Sequence, residues 1–268
     1  MTAPEIVARR GARFLPIPRV LHQTWKDADL PERFQAYHAT WRRQHPGWRF
    51  VLWTDADNRR LVASRHAGLL SLYDALPRDI QRVDLAKYLI LASHGGVYAD
   101  LDSECLRPVD ALLAGGGAVV SRTPDGVIDG AFLASPPGHA FWEHVLREVQ
   151  APPLLARALR GVPGLDASHV LFSTGPHMLR RAVRRYDPGA PAHRGDGLRV
   201  LASRHVSSRS WLARREPFRE VGASVRHHHA DSWLLPLERA VVRFCTARHL
   251  AGAALALVAA ALLAAATA

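Results

Sequence analysis

Asp100 and Asp102 stand one residue apart in HGGVYADLDSEC, residues 94–105, where a glycine pair ends an apolar run and a short β-type stretch begins. In an extended chain residues two apart point the same way, so the two carboxylates share one space, with Tyr98 on their side and Leu101 facing away. Neighbouring carboxylates repel unless a cation lies with them. Hard divalent ions such as Mg²⁺ and Mn²⁺ take oxygen ligands and commonly join protein carboxylates to substrate phosphates. The spacing alone is weak, because D-x-D occurs three times, at Asp27-Ala28-Asp29, Asp55-Ala56-Asp57 and Asp100-Leu101-Asp102. The first two sit in polar, turn-like surroundings and read as solvated loops. Only the third follows a helix, Gly-Gly and a strand.

The run before it adds a second group. A helix over about 78–94, DIQRVDLAKYLILASH, places Asp84, Lys87, Tyr88 and Leu91 at i, i+3, i+4 and i+7 on one face. Asp and Lys three apart read either as a surface ion pair, worth a few tenths of a kcal/mol, or as a polar pair for sugar hydroxyls, since the flanking residues are apolar. A third group is RHHHADSWL, 226–234. Adjacent side chains of an extended segment alternate, so His227 and His229 can converge while His228 points elsewhere. A closed three-histidine zinc site is therefore not expected. One imidazole completing a carboxylate and phosphate shell is easier to build and favours Mn²⁺ over Mg²⁺. Ser232 and Trp233 offer a hydroxyl and an indole N–H to a phosphate oxygen.

The elements that must position these groups form an α/β pattern. PRVLHQTW (18–25) and WRFVLW (48–53) read as strands on either side of a helix over 31–44, a β-α-β start that implies a parallel sheet. VYADLD, AVVSR and GAFLAS (130–135) are further strand-like runs, and helices are expected over 138–150 and 175–186. The chain has 268 residues, 48% of them hydrophobic, and two cysteines, which excludes a disordered or disulfide-built protein. Its formal net charge of +11 invites a nucleic-acid reading. The arginines are scattered, however, and no helix-turn-helix, zinc-knuckle or RNP pattern accompanies them, so a solvated basic surface, or attraction to anionic lipid and phosphate, is expected and a nucleic acid is not. Residues 1–15 are basic without a following apolar stretch, so no secretory signal is expected. Residues 250–268, LAGAALALVAAALLAAATA, carry no charge over nineteen positions. As a helix they would extend roughly 28 Å, about a bilayer's hydrocarbon thickness. The alternative is a buried or amphipathic Ala-rich terminal helix, but no polar face recurs at helical spacing, and membrane association through this helix is the expectation.

IPRVLHQTW, HPGWRFVLW, DIQRVDLAKYLILASHGGVYADLD, FSTGP and HHHADSW occur in the order found in glycosyltransferases with a D-x-D sugar-binding region. Over about residues 16–235 the chain resembles the branch of that family with α-1,6-mannosyltransferases and inositol-phosphoceramide mannosyltransferases. The resemblance implies a GT-A fold, a Rossmann-like, mostly parallel sheet with flanking helices, over 16–240. A basic segment over 1–15 would precede it and the apolar helix within 241–268 would follow. It implies a retaining enzyme that moves a hexose, mannose first, from a nucleotide-diphosphate sugar to a hydroxyl of a glycan or lipid-linked acceptor. The donor would be GDP-mannose or a UDP-hexose, and the cofactor Mn²⁺ or Mg²⁺. Gln23 and Trp25 would line the nucleotide pocket, Asp84 and Lys87 would hold the donor hexose, and Asp100 would contact ribose or sugar. Asp102 and His227 would bind metal, and Ser232 and Trp233 the diphosphate. Asp100, Asp102 and Lys87 would carry catalysis, with Asp129 on the acceptor side. Two departures stand out: relatives usually have Arg at position 87, where the guanidinium fork gives bidentate contacts, and often a small residue where Asp231 stands. A sugar-nucleotide-binding protein without transferase activity and a metal-dependent phosphohydrolase are the rival readings.

Overall fold

The computed structural model describes residues 16–124, 126–162, 165–187, 197–208 and 222–230. The expected apolar helix within 241–268, the basic segment 1–15, and Asp231, Ser232 and Trp233 lie outside the described residues. Among the described residues no helix is long and apolar enough to cross a membrane.

The chain opens as its alternation implies. Strand β1 (Val20–Thr24) runs parallel to β2 (Arg49–Trp53), with α1 (Glu32–Gln44) between them in sequence. Two short helices, α2 (Asp55–Arg65) and α3 (Leu70–Asp74), lead to α4 (Asp79–His94). Next come β3 (Gly96–Ala99), β4 (Ser103–Cys105), α5 (Asp110–Leu113), β5 (Ala118–Arg122) and β6 (Ile128–Ser135). Helices α6 (Ala140–Gln150), α7 (Leu154–Leu159), α8 (Asp166–Ser173) and α9 (Pro176–Arg185) follow. The described chain closes with β7 (Leu198–Leu201), β8 (Val206–Ser208) and β9 (Val225–His227). The central sheet has the order β2-β1-β3-β6-β5-β7. Only β6 runs against the other five strands, so the sheet is mostly parallel, as expected. A small second sheet, β4-β9-β8, brings the C-terminal strand β9 beside the turn that follows β3.

Each face of the central sheet buries its own apolar layer. Leu85, Leu89, Tyr98, Leu133, Phe141, Trp142 and Leu179 pack on one face. Leu21, Trp41, Val97, Phe132 and Val225 pack on the other, under α1. Helix α4 is buried continuously from Asp84 to Leu91, because it lies between the sheet and the outer helices. A helix that is apolar nearly all round belongs inside, and Asp84 and Lys87 go inside with it. The surface ion-pair reading of these two residues is thereby excluded. The glycines that end α4 are set by crowding: a Cβ on Gly95 would stand 2.5 Å from the Pro137 nitrogen, and one on Gly96 would stand 2.8 Å from the Val20 carbonyl oxygen.

Two expectations need correcting. Asp55 and Asp57 do not lie in a solvated loop; they open α2, where Thr54 and Asp57 form a reciprocal capping box and acidic side chains meet the positive end of the helix. The strand carrying the central acids is also shorter than expected. β3 ends at Ala99, and Asp100–Asp102 form a turn closed by the Ser103 N–H donated to the Asp100 carbonyl at 2.9 Å. Leu101 therefore does not face away; it lines the same cavity as its two acidic neighbours.

Candidate active site

A cavity of about 490 Å³ opens where β1, β3 and α4 meet the start of β6 and the residues after β9. Asp84, Lys87, Asp100, Asp102, Asp129, His227 and Trp25 all line it. They come from five separate stretches of sequence.

The turn after β3 holds the first cluster. Tyr98 donates its hydroxyl to Asp100 Oδ1 at 3.0 Å, so the Thr24 hydroxyl, 2.8 Å from Tyr98 Oη, donates in turn to the tyrosine. The Asp100 backbone N–H is donated to the Ala131 carbonyl at 3.1 Å. Asp102 Oδ2 accepts the Ala230 N–H at 2.7 Å, and Asp102 Oδ1 lies 3.2 Å from His227 Nε2. His227 Nε2 is also 3.9 Å from Asp100 Oδ2, and its Nδ1 is 3.2 Å from Asp129 Oδ2. One donor atom each from Asp100, Asp102 and His227 falls within 4.8 Å of the others, a spacing that a divalent cation can draw together. Asp129, His227 and His229 form a second such group around the same imidazole.

Burial and charge set the protonation of these groups. Burial pushes the Asp100 carboxyl up to about 6, with the Lys87 ammonium opposing and Asp102 reinforcing that rise. Burial also opposes ionisation of Asp102 and Asp129, but the His227 ring beside each outweighs it and holds both carboxyls below their ordinary range. The same contacts, acting against burial, keep His227 well above an ordinary imidazole.

On α4, Lys87 Nζ lies 2.7 Å from Asp84 Oδ1, with both side chains more than nine-tenths buried. The other Asp84 oxygen accepts the Thr174 hydroxyl at 2.9 Å. Thr174 belongs to FSTGP, at the turn between α8 and α9, and its carbonyl accepts the Tyr88 hydroxyl at 2.8 Å. Gln81, one turn before Asp84, donates to Ser173 Oγ at 2.8 Å and further ties α4 to α8. Burial opposes the charge on Lys87, but Asp84, Tyr88 and Asp100 raise it well above the ordinary lysine range. Thr174 was legible as part of a motif, but its partner Asp84 is 90 residues away and no local signal links them.

The strand ends contribute unequally. Trp25 lines the cavity, packs edge-on to Phe34, and has a buried indole N–H with no hydrogen-bond partner among the described residues. Gln23, expected in the nucleotide pocket, is not among the residues that line this cavity. Alternation along β1 turns Gln23 toward α1, where Oε1 is 2.5 Å from His38 Nδ1, and its amide reaches only the Asp100 carbonyl at 3.5 Å. The histidines also separate where the chain leaves β9 at His227. The His227 and His229 rings are 4.0 Å apart at the cavity, whereas His228 stacks on Tyr37 and meets Glu104 at 3.1 Å. His229 is a functional candidate absent from the expected site, and it takes a left-handed backbone, φ 48°.

The acids, the imidazole and the buried Asp–Lys pair gather at the strand ends of a mostly parallel α/β sheet, where open sheets of this kind bind their ligands. Residues 31–116 match the family described as "Glycosyltransferase sugar-binding region containing DXD motif". It is 38% identical over 128 residues to inositol phosphoceramide mannosyltransferase 1 of Schizosaccharomyces pombe, covering 47% of this chain and 40% of that protein. It is 32% identical over 191 residues to inositol phosphoceramide mannosyltransferase 2 of the same yeast, covering 70% of this chain and 53% of that protein. The chain thus spans about half the length of these curated relatives. Among solved structures, the PaToxG glycosyltransferase aligns with a TM-score of 0.49 at 16% identity, over 65% of this chain and 71% of that one.

Proposed function

We propose that the chain is a retaining glycosyltransferase of GT-A fold. It moves a hexose, mannose first, from a nucleotide-diphosphate sugar to a hydroxyl of a glycan or lipid-linked acceptor. One observation carries this reading: the buried Asp84–Lys87 pair shares a cavity with the Asp100, Asp102 and His227 group. A phosphohydrolase needs the second group but not the first. Sugar hydroxyls both donate and accept, and a carboxylate beside an ammonium meets both needs. The names of the yeast relatives support mannose as the hexose and an inositol phosphoceramide as one kind of acceptor.

The chemistry of the donor set fits a divalent cation, two carboxylates with one imidazole, and the imidazole favours Mn²⁺ over Mg²⁺. Asp100, Asp102 and His227 would hold it, and it would supply Lewis-acid neutralisation of the leaving diphosphate. Lys87 adds a fixed positive charge on the donor side, and Asp84 orients that charge while accepting from a hexose hydroxyl. The unpartnered Trp25 indole N–H supports a polar donor group lying beside it. In the reaction the bond from the anomeric carbon to the diphosphate oxygen breaks, the bond to the acceptor oxygen forms on the same face, and the hydroxyl proton passes to the departing phosphate oxygen. Asp84 and Asp129 each have both carboxylate oxygens engaged. That favours front-face attack over a covalent carboxylate intermediate. Residues 250–268, nineteen uncharged positions in a row, would hold the chain at a membrane, near a lipid acceptor.

The full chain, supplied with Mn²⁺, a panel of GDP- and UDP-sugars and mannosylatable lipid or glycan acceptors, tests this reading. Release of nucleoside diphosphate from one donor and a product of unchanged anomeric configuration by proton NMR are expected. An inverted product, or release of inorganic phosphate from simple phosphate esters, would contradict it.

A further inference from the structure

Asp129 stands apart from the rest of the site in its local structure. Strand β6 pairs with β5 in one register up to Val120↔Leu133 and in another from Ser121↔Asp129, so residues 130–132 bulge out of the ladder. Bulges beside active sites commonly re-aim a side chain. Here the bulge delivers the Ala131 carbonyl to the Asp100 N–H and folds the Ala131 N–H back onto Asp129 Oδ1 at 3.0 Å. That contact fixes the carboxylate plane and leaves Oδ2 facing His227 Nδ1 at 3.2 Å. Asp129 is 8% exposed and His227 is 7% exposed, so neither side chain is steered by bulk water.

We propose that Asp129 is the positioning residue for His227 and does not act on the acceptor. It fixes the imidazole as the tautomer that carries its proton on Nδ1 and presents Nε2 to a divalent cation held with Asp100 and Asp102. This inference rests on the reading of that group as a metal site. The argument is one of geometry. Nε2 is the ring nitrogen that faces both acids of the turn, at 3.2 and 3.9 Å. An imidazole that ligates through Nε2 must keep its proton on Nδ1, and the recorded acceptor there is Asp129 Oδ2. A ligating histidine whose other nitrogen donates to a carboxylate is held in orientation and made a better ligand, and loss of that carboxylate costs about 10- to 100-fold in metal affinity. The second group, Asp129 with His227 and His229, makes the opposite demand, because an ion there would take Nδ1 and leave the proton on Nε2.

Two measurements on the full chain decide the matter. Mn²⁺ binding is followed by electron paramagnetic resonance of the free ion for wild type, Asp129→Asn and Asp102→Asn. Binding weakened about tenfold or more in Asp129→Asn is expected, with the loss in Asp102→Asn at least as large. Loss in Asp102→Asn with wild-type affinity in Asp129→Asn would overturn this inference alone. Absence of Mn²⁺ binding by wild type, or unchanged binding by Asp102→Asn, would remove the metal reading and this inference with it. The second measurement needs no folded variant of Asp129. In ¹⁵N spectra of Mg²⁺-saturated wild type, with the ring signals assigned by their disappearance in His227→Gln, a proton on Nδ1 is expected; a proton on Nε2 would overturn the inference.

Discussion

The Lys87 ammonium occupies the space in which a side chain on Gly130 would begin, because a Cβ at position 130 would stand 2.7 Å from Nζ and 3.2 Å from Cε. The β6 bulge thus brings a bare backbone against the cation of α4, and glycine is needed there for room, not for an unusual φ. Gly130→Ala is expected to displace the flexible end of Lys87 while leaving the fold intact. Unfolding free energy should change by less than about 1 kcal/mol, whereas turnover should fall about 10- to 100-fold, the scale on which a misplacement of about 1 Å acts. Denaturant titration beside steady-state kinetics separates the two effects.

Asp84 is held from both sides, by Lys87 and by Thr174, and the three respond as a unit. Removing one member of a buried ion pair leaves an uncompensated charge, so Lys87→Met is expected to cost about 3–5 kcal/mol. Replacing both partners, Asp84→Leu with Lys87→Met, should recover most of that stability without restoring activity. Thr174→Val removes a donor to a charged oxygen and should cost about 1–3 kcal/mol, while Thr174→Ser should remain close to wild type. A double-mutant cycle in urea reads all of these.

Acid should weaken the fold through a residue outside the chemistry. His22 on β1 accepts the Trp53 indole N–H at Nδ1, 3.0 Å, which leaves Nε2–H to donate to the Gly95 carbonyl at 3.0 Å. Burial lowers this histidine from 6.5 to about 4. Above pH 6.5 it is neutral in the folded and the unfolded chain and contributes no slope. Between pH 6.5 and 4 the unfolded chain binds the proton and the fold does not, so stability falls as pH falls, by about 3 kcal/mol across the window. His177 is lowered to about 4 by burial and by Arg180, and acts in the same direction. Urea midpoints measured from pH 7 to 4 should decline, and His22→Gln, which can keep both hydrogen bonds, should flatten part of that decline.

The uncharged run 250–268 gives a prediction of its own. A chain ending at residue 249 should leave the membrane fraction on flotation and still hydrolyse the donor in detergent-free buffer. Membrane association unchanged by that truncation would remove the anchoring proposal.

The sequence made much of this legible, and its omissions have a common cause. Local periodicity exposed α4, its Gly-Gly stop, the β-α-β start and the divergence of His228 from its two neighbours, because each is a relation among residues less than about two turns apart. The same alternation rule failed at Asp100–Asp102. It assumed that the strand ran through the acids, whereas the chain turns after Ala99 and brings Leu101 into the cavity as well. The resemblance set Gln23 in the nucleotide pocket, and β1 turns that side chain toward α1, outside the cavity lining. Asp129 with His227 and Asp84 with Thr174 were out of reach, since the contacts span 98 and 90 residues. The bulge that aims Asp129 leaves no periodic trace in VIDGAFLAS.

Nucleotide binding tests the central claim, that this cavity is a metal-dependent site for a nucleotide-diphosphate sugar, most directly. Calorimetric titration of the full chain with GDP and with UDP, each with Mn²⁺ and with EDTA, should give binding of one nucleotide that is at least about tenfold tighter with the metal, a coupling of about 1.4 kcal/mol. Asp102→Asn should abolish that difference. Equal affinity with and without Mn²⁺, or a metal effect that survives in Asp102→Asn, would contradict the account.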